Sequence, residues 1–72
     1  MKKTFRMNDL DCANCAAKME KAIERIDGVQ SVTVSFLAQK MVLEADDGRW
    51  EEILKQACDA VRRVDSHCTV EL

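Results

Sequence analysis

The spacing of apolar positions changes several times along the chain, and each spacing predicts one element. Lys3 to Met7 alternates, with Phe5 and Met7 apolar, which is the period of a strand with one buried face. From Ala13 to Ile26 the apolar residues recur every three or four positions, which predicts an amphipathic helix. Asp27-Gly28 then favours the end of that helix, because glycine readily takes the left-handed conformation of a helix cap.

Alternation returns in two further stretches, Val29 to Phe36 and Lys40 to Ala45, and their short connection Leu37-Ala38-Gln39 predicts a hairpin. A second helix is expected after Asp46-Asp47-Gly48, with Gly48 or Asp47 as its cap. Its apolar stripe consists of Trp50, Ile53, Leu54, Ala57 and Val61. The closing stretch from Cys68 to Leu72 alternates again and predicts a last strand.

The predicted order is β-α-β-β-α-β. Short connections and right-handed crossovers fold this order into an α+β, ferredoxin-like arrangement, a four-stranded antiparallel sheet with both helices on one face. Residues 1–72 are expected to form a single domain, since a chain of 72 residues can bury only one thin core. The expected core residues are Phe5, Met19, Ile23, Val32, Val34, Leu43, Trp50, Ile53 and Leu54.

This topology groups the connections at two ends. The loop at Cys12, the hairpin near Phe36-Leu37 and the segment from Arg62 to Ser66 are expected at one end. Asp27-Gly28 and Asp46 to Gly48 are expected at the other. Any chemistry of the loop is therefore shaped by the hairpin and by residues near Asp65.

Candidate chemistry lies in the run Asp11-Cys12-Ala13-Asn14-Cys15, between the first strand and the first helix. Thiolates are soft ligands, and two of them three residues apart can reach one ion. If Cys15 begins the helix, the unpaired N–H groups of the first helical turn favour negative charge at that residue, which would lower the pKa of the Cys15 thiol. Asp11 adds an oxygen ligand of the kind zinc accepts; its alternative role is a helix cap. The expected metal ligands are therefore Cys12, Cys15 and Asp11.

Composition and charge argue against nucleic-acid binding and secretion, and favour metal or redox chemistry of the cysteines. Charged residues make up 33% of the chain, the formal net charge is -2, and no basic surface with interleaved aromatics is apparent, so no nucleic-acid partner is expected. Asn8, Asp9 and Asp11 interrupt any apolar core of a signal peptide, so a cytoplasmic location is expected. In that compartment four cysteines favour metal or redox chemistry over disulfides.

The whole chain resembles the heavy-metal-associated domain of metal-transporting P-type ATPases and soluble metallochaperones. The resemblance is carried by Cys12-x-x-Cys15, Ala16, Ile26-Asp27-Gly28-Val29 and Val32-x-Val34. The form with Asp11 before the first cysteine resembles the amino-terminal domains of zinc, cadmium and lead exporters. It implies a ferredoxin-like fold that binds Zn²⁺, Cd²⁺ or Pb²⁺ and passes the ion to or within a membrane ATPase, in cis or in trans. A monomer is expected, with a metal-bridged dimer as the alternative.

The chain also departs from that family pattern. Many members have Gly-Met where this chain has Asp9-Leu10, and Leu10 can take over the apolar anchoring role of that methionine. Copper members often carry an aromatic residue or lysine opposite the thiols, and the region Arg63 to Asp65 has no aromatic. This favours a divalent ion over Cu⁺.

The remaining candidate ligands have simpler interpretations. Cys58 and Cys68 are expected to be small core residues, since they fall on or beside apolar stripes. His67 is expected to face solvent. The alternative is that Asp65, His67 or Cys68 supplies a further ligand.

Other functions also fit parts of the pattern. A Cu⁺ or Hg²⁺ metallochaperone is the nearest alternative. A thiol-disulfide oxidoreductase would use the same two thiols, but a thioredoxin-like domain needs more chain and normally a cis-proline, and this chain has no proline. A structural zinc site using all four cysteines would need two close-spaced pairs. A metal-free interaction domain leaves the CxxC unexplained, so a binding module that is not itself an enzyme is the leading hypothesis.

Overall fold

The computed structural model describes residues 1–72 and has the element order β-α-β-β-α-β. The strands are β1 (Lys2–Asn8), β2 (Val29–Ser35), β3 (Lys40–Ala45) and β4 (Thr69–Val70). The helices are α1 (Ala13–Glu24) and α2 (Trp50–Val64), and a 3₁₀ turn over Asp47–Arg49 precedes α2. The ferredoxin-like fold predicted from the hydrophobic pattern is confirmed.

The sheet has the strand order β2-β3-β1-β4, with every neighbouring pair antiparallel. The last residues of β1 lie beside the start of β3, where Arg6 pairs with Lys40, and beside β4, where Asn8 pairs with Thr69. The loop after β1 therefore leaves the sheet between the β2–β3 turn and the segment before β4. This places the cysteine loop and the hairpin turn at one end, as the topology predicts.

Buried side chains from both helices and all three long strands form one core. The core cluster consists of Phe5, Met7, Leu10, Ala16, Met19, Ile23, Val32, Val34, Met41, Leu43, Ala57, Ala60, Val61 and Cys68. Trp50 and Leu54, which were expected in the core, only pack against it and stay partly exposed. Trp50 lies at the edge of the core, where its ring stacks on the ring of Phe5 with the centroids 6.2 Å apart.

The first helix is shorter than its periodic pattern, because it ends at Glu24 and not at Ile26. The Ile26 N–H donates to Ile23 O at 3.0 Å, which tightens the chain after the last regular turn. Gly28 follows with φ of +97°, so the left-handed conformation that the glycine predicts lies in the turn beyond the helix.

The second helix begins differently from the prediction. Asp46, and not Asp47 or Gly48, caps the 3₁₀ turn by accepting from the Gly48 N–H at 3.4 Å. Helix α2 then starts at Trp50 without a side-chain cap of its own. The 3₁₀ turn moves the start of α2 to Trp50. The pattern of apolar positions alone does not predict this turn.

The last strand is shorter than the alternation from Cys68 to Leu72 predicts. Only Thr69 and Val70 form it, paired with Asn8 and Met7, and the contact with β1 continues by one bond from the Glu71 N–H to Arg6 O at 2.8 Å. Neither helix is both long and apolar enough to cross a membrane.

Candidate metal-binding loop

Cys12 is the N-cap residue of α1. Its backbone is extended, with φ of -130° and ψ of 117°, and its Sγ accepts a hydrogen bond from the Cys15 N–H at 3.3 Å. The Cys12 carbonyl accepts the first helical bond from the Ala16 N–H at 3.1 Å. A thiol thus occupies the position that Ser, Thr, Asp or Asn fills in most helices, and the CxxC spacing matches the distance from N-cap to third helical residue.

The two thiols differ in acidity because of this geometry. The pKa of Cys12 is lowered, first by its hydrogen bond with the Cys15 thiol and then by the backbone N–H groups of Cys15 and Asn14. The pKa of Cys15 is raised, first because its thiol is held in the bond to Cys12 and then by burial. The helix start therefore favours thiolate at the first cysteine, whereas we had expected it at the second.

The opposite directions of the two pKa shifts make Cys12 the thiol that ionises first, with the Cys15 thiol as a hydrogen-bond partner of its sulfur. Both side chains are partly exposed. Because a cysteine binds a cation as thiolate, binding would release the protons that the two thiols still carry, and Cys12 would give up its proton more easily than Cys15.

Asp11 precedes the pair and is exposed. Its charge is one of the smaller influences on the pKa of Cys12, which it raises. No three His, Cys, Asp or Glu side chains in the chain lie close enough together to hold one ion. The Asp11 carboxylate therefore does not form a three-ligand group with the thiols of Cys12 and Cys15. Coordination by Asp11 would require its side chain to turn toward the thiols, and its role as a ligand stays a prediction.

The segment before β4 faces the same loop. Asp65 ends α2, and its Oδ1 accepts from the His67 N–H at 3.0 Å, while the His67 side chain is exposed as predicted. The charge of Asp65 contributes to the raised pKa of Cys15, which places it within electrostatic reach of the thiols. Asp65 is therefore near the site, whereas His67 belongs to the solvent-facing surface.

Cys68 is fully buried, as predicted for a core residue. Burial is the main cause of its raised pKa, followed by the charges of Asp65, Asp9 and Asp11. A neutral thiol beneath an acidic loop is a packing group in this conformation.

Cys58 corrects the prediction that it is a core residue. It is only partly buried and lies outside the core cluster. It lines an open cavity of about 350 Å³ whose other walls include Val61, Arg62, Cys68 and Leu72. Burial still raises the pKa of its thiol.

Gln39, in the β2–β3 turn, is a contributor that the sequence analysis missed. Its Oε1 accepts from the Leu10 N–H at 3.1 Å, and its Nε2 donates to the carbonyl oxygens of Leu10 and Phe36. A glutamine in a hairpin turn has no sequence signature for such a role, because its partners are backbone groups. The sequence analysis predicted only that the Cys12 loop and the β2–β3 hairpin lie at the same end of the molecule.

Comparison with known proteins shows a consistent group of relatives. The sequence model of the heavy-metal-associated domain family matches residues 4–62, a range that contains Asp11, Cys12 and Cys15 but not Cys68. The cadmium, zinc and cobalt-transporting ATPase of Bacillus subtilis is 30% identical over 70 residues. That match covers 97% of this chain but 10% of the ATPase, so the chain spans only a small part of that relative.

Proteins of similar size also match. The copper chaperone CopZ of Enterococcus hirae is 30% identical over 64 residues, which is 89% of this chain and 90% of the chaperone. Among solved structures, one described as CopZ metallochaperone superimposes with a TM-score of 0.78 at 24% identity, covering 99% of this chain and 100% of the other. This structural likeness supports the fold.

Proposed function

Because the chain belongs to the heavy-metal-associated domain family, we propose that it binds a soft or borderline divalent ion, Zn²⁺, Cd²⁺ or Pb²⁺, and passes it to or within a metal-transport system. The observation that carries the proposal is the pair Cys12 and Cys15 at the start of α1, with the pKa of Cys12 lowered by donors around it. A loop that lowers the pKa of its first thiol makes the thiolate easier to form, which favours capture of soft cations.

Asp11 is the reason for proposing a divalent ion. Two thiolates and one carboxylate around Zn²⁺ leave a single negative charge, and oxygen is an ordinary zinc ligand. The same three ligands around Cu⁺ would leave two negative charges and add a hard oxygen that Cu⁺ does not favour. A Cu⁺ or Hg²⁺ site formed by the two thiols alone is the second candidate, and the similarity to a copper chaperone favours keeping it.

Transfer requires that the ion can be reached and released. Both thiols are partly exposed at one end of the molecule. Three protein ligands leave a tetrahedral ion one open position, where an incoming thiolate or carboxylate can bind before the first ligands leave. We infer a membrane metal-transporting ATPase as the partner, either as a separate protein or as the rest of the same chain, with the domain on the cytosolic side.

Removing the two loop thiols tests the proposal directly. A Cys12→Ser, Cys15→Ser variant should lose Zn²⁺ and Cd²⁺ affinity by about a hundredfold or more, because the oxygen of serine is a poor ligand for these ions. Affinity would be measured by competition with a chromophoric chelator in reducing buffer. Circular dichroism of the chelator-treated protein should show that both forms are folded, because the core is formed by packed apolar side chains from the helices and the sheet.

The matched control removes the other two thiols. A Cys58→Ala, Cys68→Ala variant should keep wild-type affinity while losing about 1 kcal/mol or more of stability, mainly from the buried Cys68. Equal loss of metal binding in both double variants would contradict the proposed site.

A further inference from the structure

The side-chain amide of Gln39 forms hydrogen bonds with both backbone polar groups of Leu10, in the loop before Cys12. Its oxygen accepts from the Leu10 N–H and its nitrogen donates to the Leu10 carbonyl, so both polar groups of that residue are bound. A second bond from the same nitrogen to Phe36 O, at 2.7 Å, orients the amide. The side chain can therefore present its oxygen and nitrogen in only one way.

These are the only hydrogen bonds that the chain makes to the backbone of residues 9–11. The backbone before the loop is held by the same residue, since the Met7 N–H donates to Gln39 O at 2.8 Å. The Leu10 side chain is 1% exposed and anchors the loop in the core, but apolar contacts do not fix the rotation of a peptide group. Without the Gln39 side-chain amide, no hydrogen bond would fix that rotation between the end of β1 and Cys12.

We propose that Gln39 is a positioning residue for the metal site, holding Leu10 so that Cys12 and Cys15 face one ion. The inference rests on the proposed function and extends it to a residue that would not touch the metal. Leu10 is two positions before Cys12, so a change in its backbone orientation moves the extended segment that carries the first thiol. Loss of the amide would loosen the loop and let the ion exchange faster.

The conformation of Gln39 allows its two contributions to be separated. Its φ is +55°, a region that is unfavourable for most residues and freely available to glycine. Gln39→Gly removes the amide but relieves the backbone, whereas Gln39→Ala removes the amide and keeps the backbone unfavourable. A merely structural role predicts that metal exchange follows stability, and a positioning role predicts that it follows the amide.

The experiment measures Zn²⁺ transfer from the loaded protein to a chelator, together with thermal unfolding. Both variants should release Zn²⁺ about threefold to tenfold faster than the wild type, the effect expected for hydrogen bonds of ordinary net strength. Gln39→Gly should unfold at a higher temperature than Gln39→Ala. Gln56→Ala, which removes an amide from an exposed position on α2, should release Zn²⁺ at the wild-type rate.

Exchange of the Leu10 amide hydrogen in the metal-free protein is the second measurement, since this group has no other partner. It should be protected in the wild type and in Gln56→Ala, and unprotected in both Gln39 variants. Zn²⁺ release from Gln39→Gly at the wild-type rate would overturn the positioning role while leaving the proposed function intact. A wild-type protein that binds no Zn²⁺, Cd²⁺ or Pb²⁺ would overturn the proposed function, and the positioning role with it.

Discussion

The two helical segments begin with different capping atoms. At the cysteine end, which comprises the loop after β1, the hairpin turn and the segment before β4, helix α1 is capped by the sulfur of Cys12. At the distal end, which comprises the turn at Asp27-Gly28 and the 3₁₀ turn, the cap is a carboxylate oxygen of Asp46. Carboxylate oxygens are strong acceptors and thiol sulfur is a weak one, so helix α1 and the 3₁₀ turn before α2 begin with caps of unequal strength.

The distal end is built from bonds that connect its two turns. The Asp46 N–H donates to Gly28 O at 3.1 Å, and Arg49 Nη1 donates to Asp27 Oδ2 at 3.1 Å. Asp27 is 94% exposed there, so the ion pair contributes little stability by itself. Gly28 is the tightest point of this end, because its φ is +97° and the side chain of Ile53 lies where a Cβ would be.

This comparison indicates why a thiol can serve both helix and metal. A weak cap costs the helix little when its sulfur leaves for an ion, whereas a carboxylate cap would resist the exchange. The donors that surround Cys12 also favour its thiolate, so on the proposed function the same N–H groups would serve both the helix start and the first metal ligand. The cysteine end therefore has an ionisable thiol as its capping group, whereas the distal end has a carboxylate.

The largest effect should come from Gly28→Ala at the distal end. An added Cβ would lie 2.6 Å from Cδ1 of the buried Ile53, and φ of +97° disfavours any side chain. The variant should lose about 1–3 kcal/mol of stability in urea unfolding. Its Zn²⁺ affinity should stay at the wild-type value, because the site is at the other end.

Gly48→Ala is the matched control for that substitution. An added Cβ at Gly48 meets nothing within 4 Å, so the variant should be neutral or more stable by up to about 1 kcal/mol. Equal destabilisation by the two substitutions would show that close packing around Gly28 is not what holds the distal end.

At the cysteine end, Asp11→Ala should weaken Zn²⁺ and Cd²⁺ about tenfold and Cu⁺ much less, because only the divalent ions favour an oxygen ligand. Affinities for the three ions would be compared by chelator competition in reducing buffer. Asp9→Asn removes a neighbouring charge and tolerates the left-handed φ of 61°, so it separates charge from coordination. A Zn²⁺ loss in Asp9→Asn as large as that in Asp11→Ala would assign the effect to charge alone.

The fold and the two thiols could be predicted because their signals are local in the sequence. Alternation and helical periodicity report burial, and burial of Met7, Met41 and Leu43 follows that pattern. The CxxC spacing is itself the distance from the N-cap to the third residue of a helix. Patterns of this kind relate residues close in sequence, so the local structure they predict depends little on the rest of the fold.

The features that were not predicted have no distinct signal in the local sequence pattern. Gln39 and Leu10 are 29 positions apart, and the groups that bind the amide are backbone atoms that every residue has. The true cap, Asp46, is one of two adjacent aspartates, and an inserted 3₁₀ turn decides which one acts. Cys58 lies outside the core because α2 turns that side toward an open cavity.

The two caps themselves can be compared by substitution in the metal-free protein. Asp46→Ala should cost about 1 kcal/mol, the usual effect of removing an N-cap. Cys12→Ser should instead leave stability unchanged or raise it by a few tenths of a kcal/mol, because the serine hydroxyl is a preferred cap. Urea unfolding measures both, and a Cys12→Ser loss as large as that of Asp46→Ala would show that sulfur is not a weak cap here.

The smallest effect concerns the rates at which the four thiols react with iodoacetamide. Cys12 should be alkylated fastest near pH 7, since its lowered pKa gives it the largest thiolate fraction, and the gain in thiolate exceeds the accompanying loss of nucleophilicity. Cys15 and Cys58 should react more slowly because their pKa values are raised, and the fully buried Cys68 slowest of all. Mass spectrometry of digested samples taken over time gives the four rates.

The pH dependence of these rates shows whether the capping geometry is the cause. Raising the pH above about 9 should shrink the advantage of Cys12 over Cys15, because a thiol with a raised pKa gains thiolate there while one with a lowered pKa is already ionised. Added Zn²⁺ should protect both loop thiols and leave Cys58 reacting at its former rate. A faster reaction at Cys15 than at Cys12 near pH 7 would mean that the helix start does not favour thiolate at its cap, and the contrast between the two ends would then lose its chemical basis.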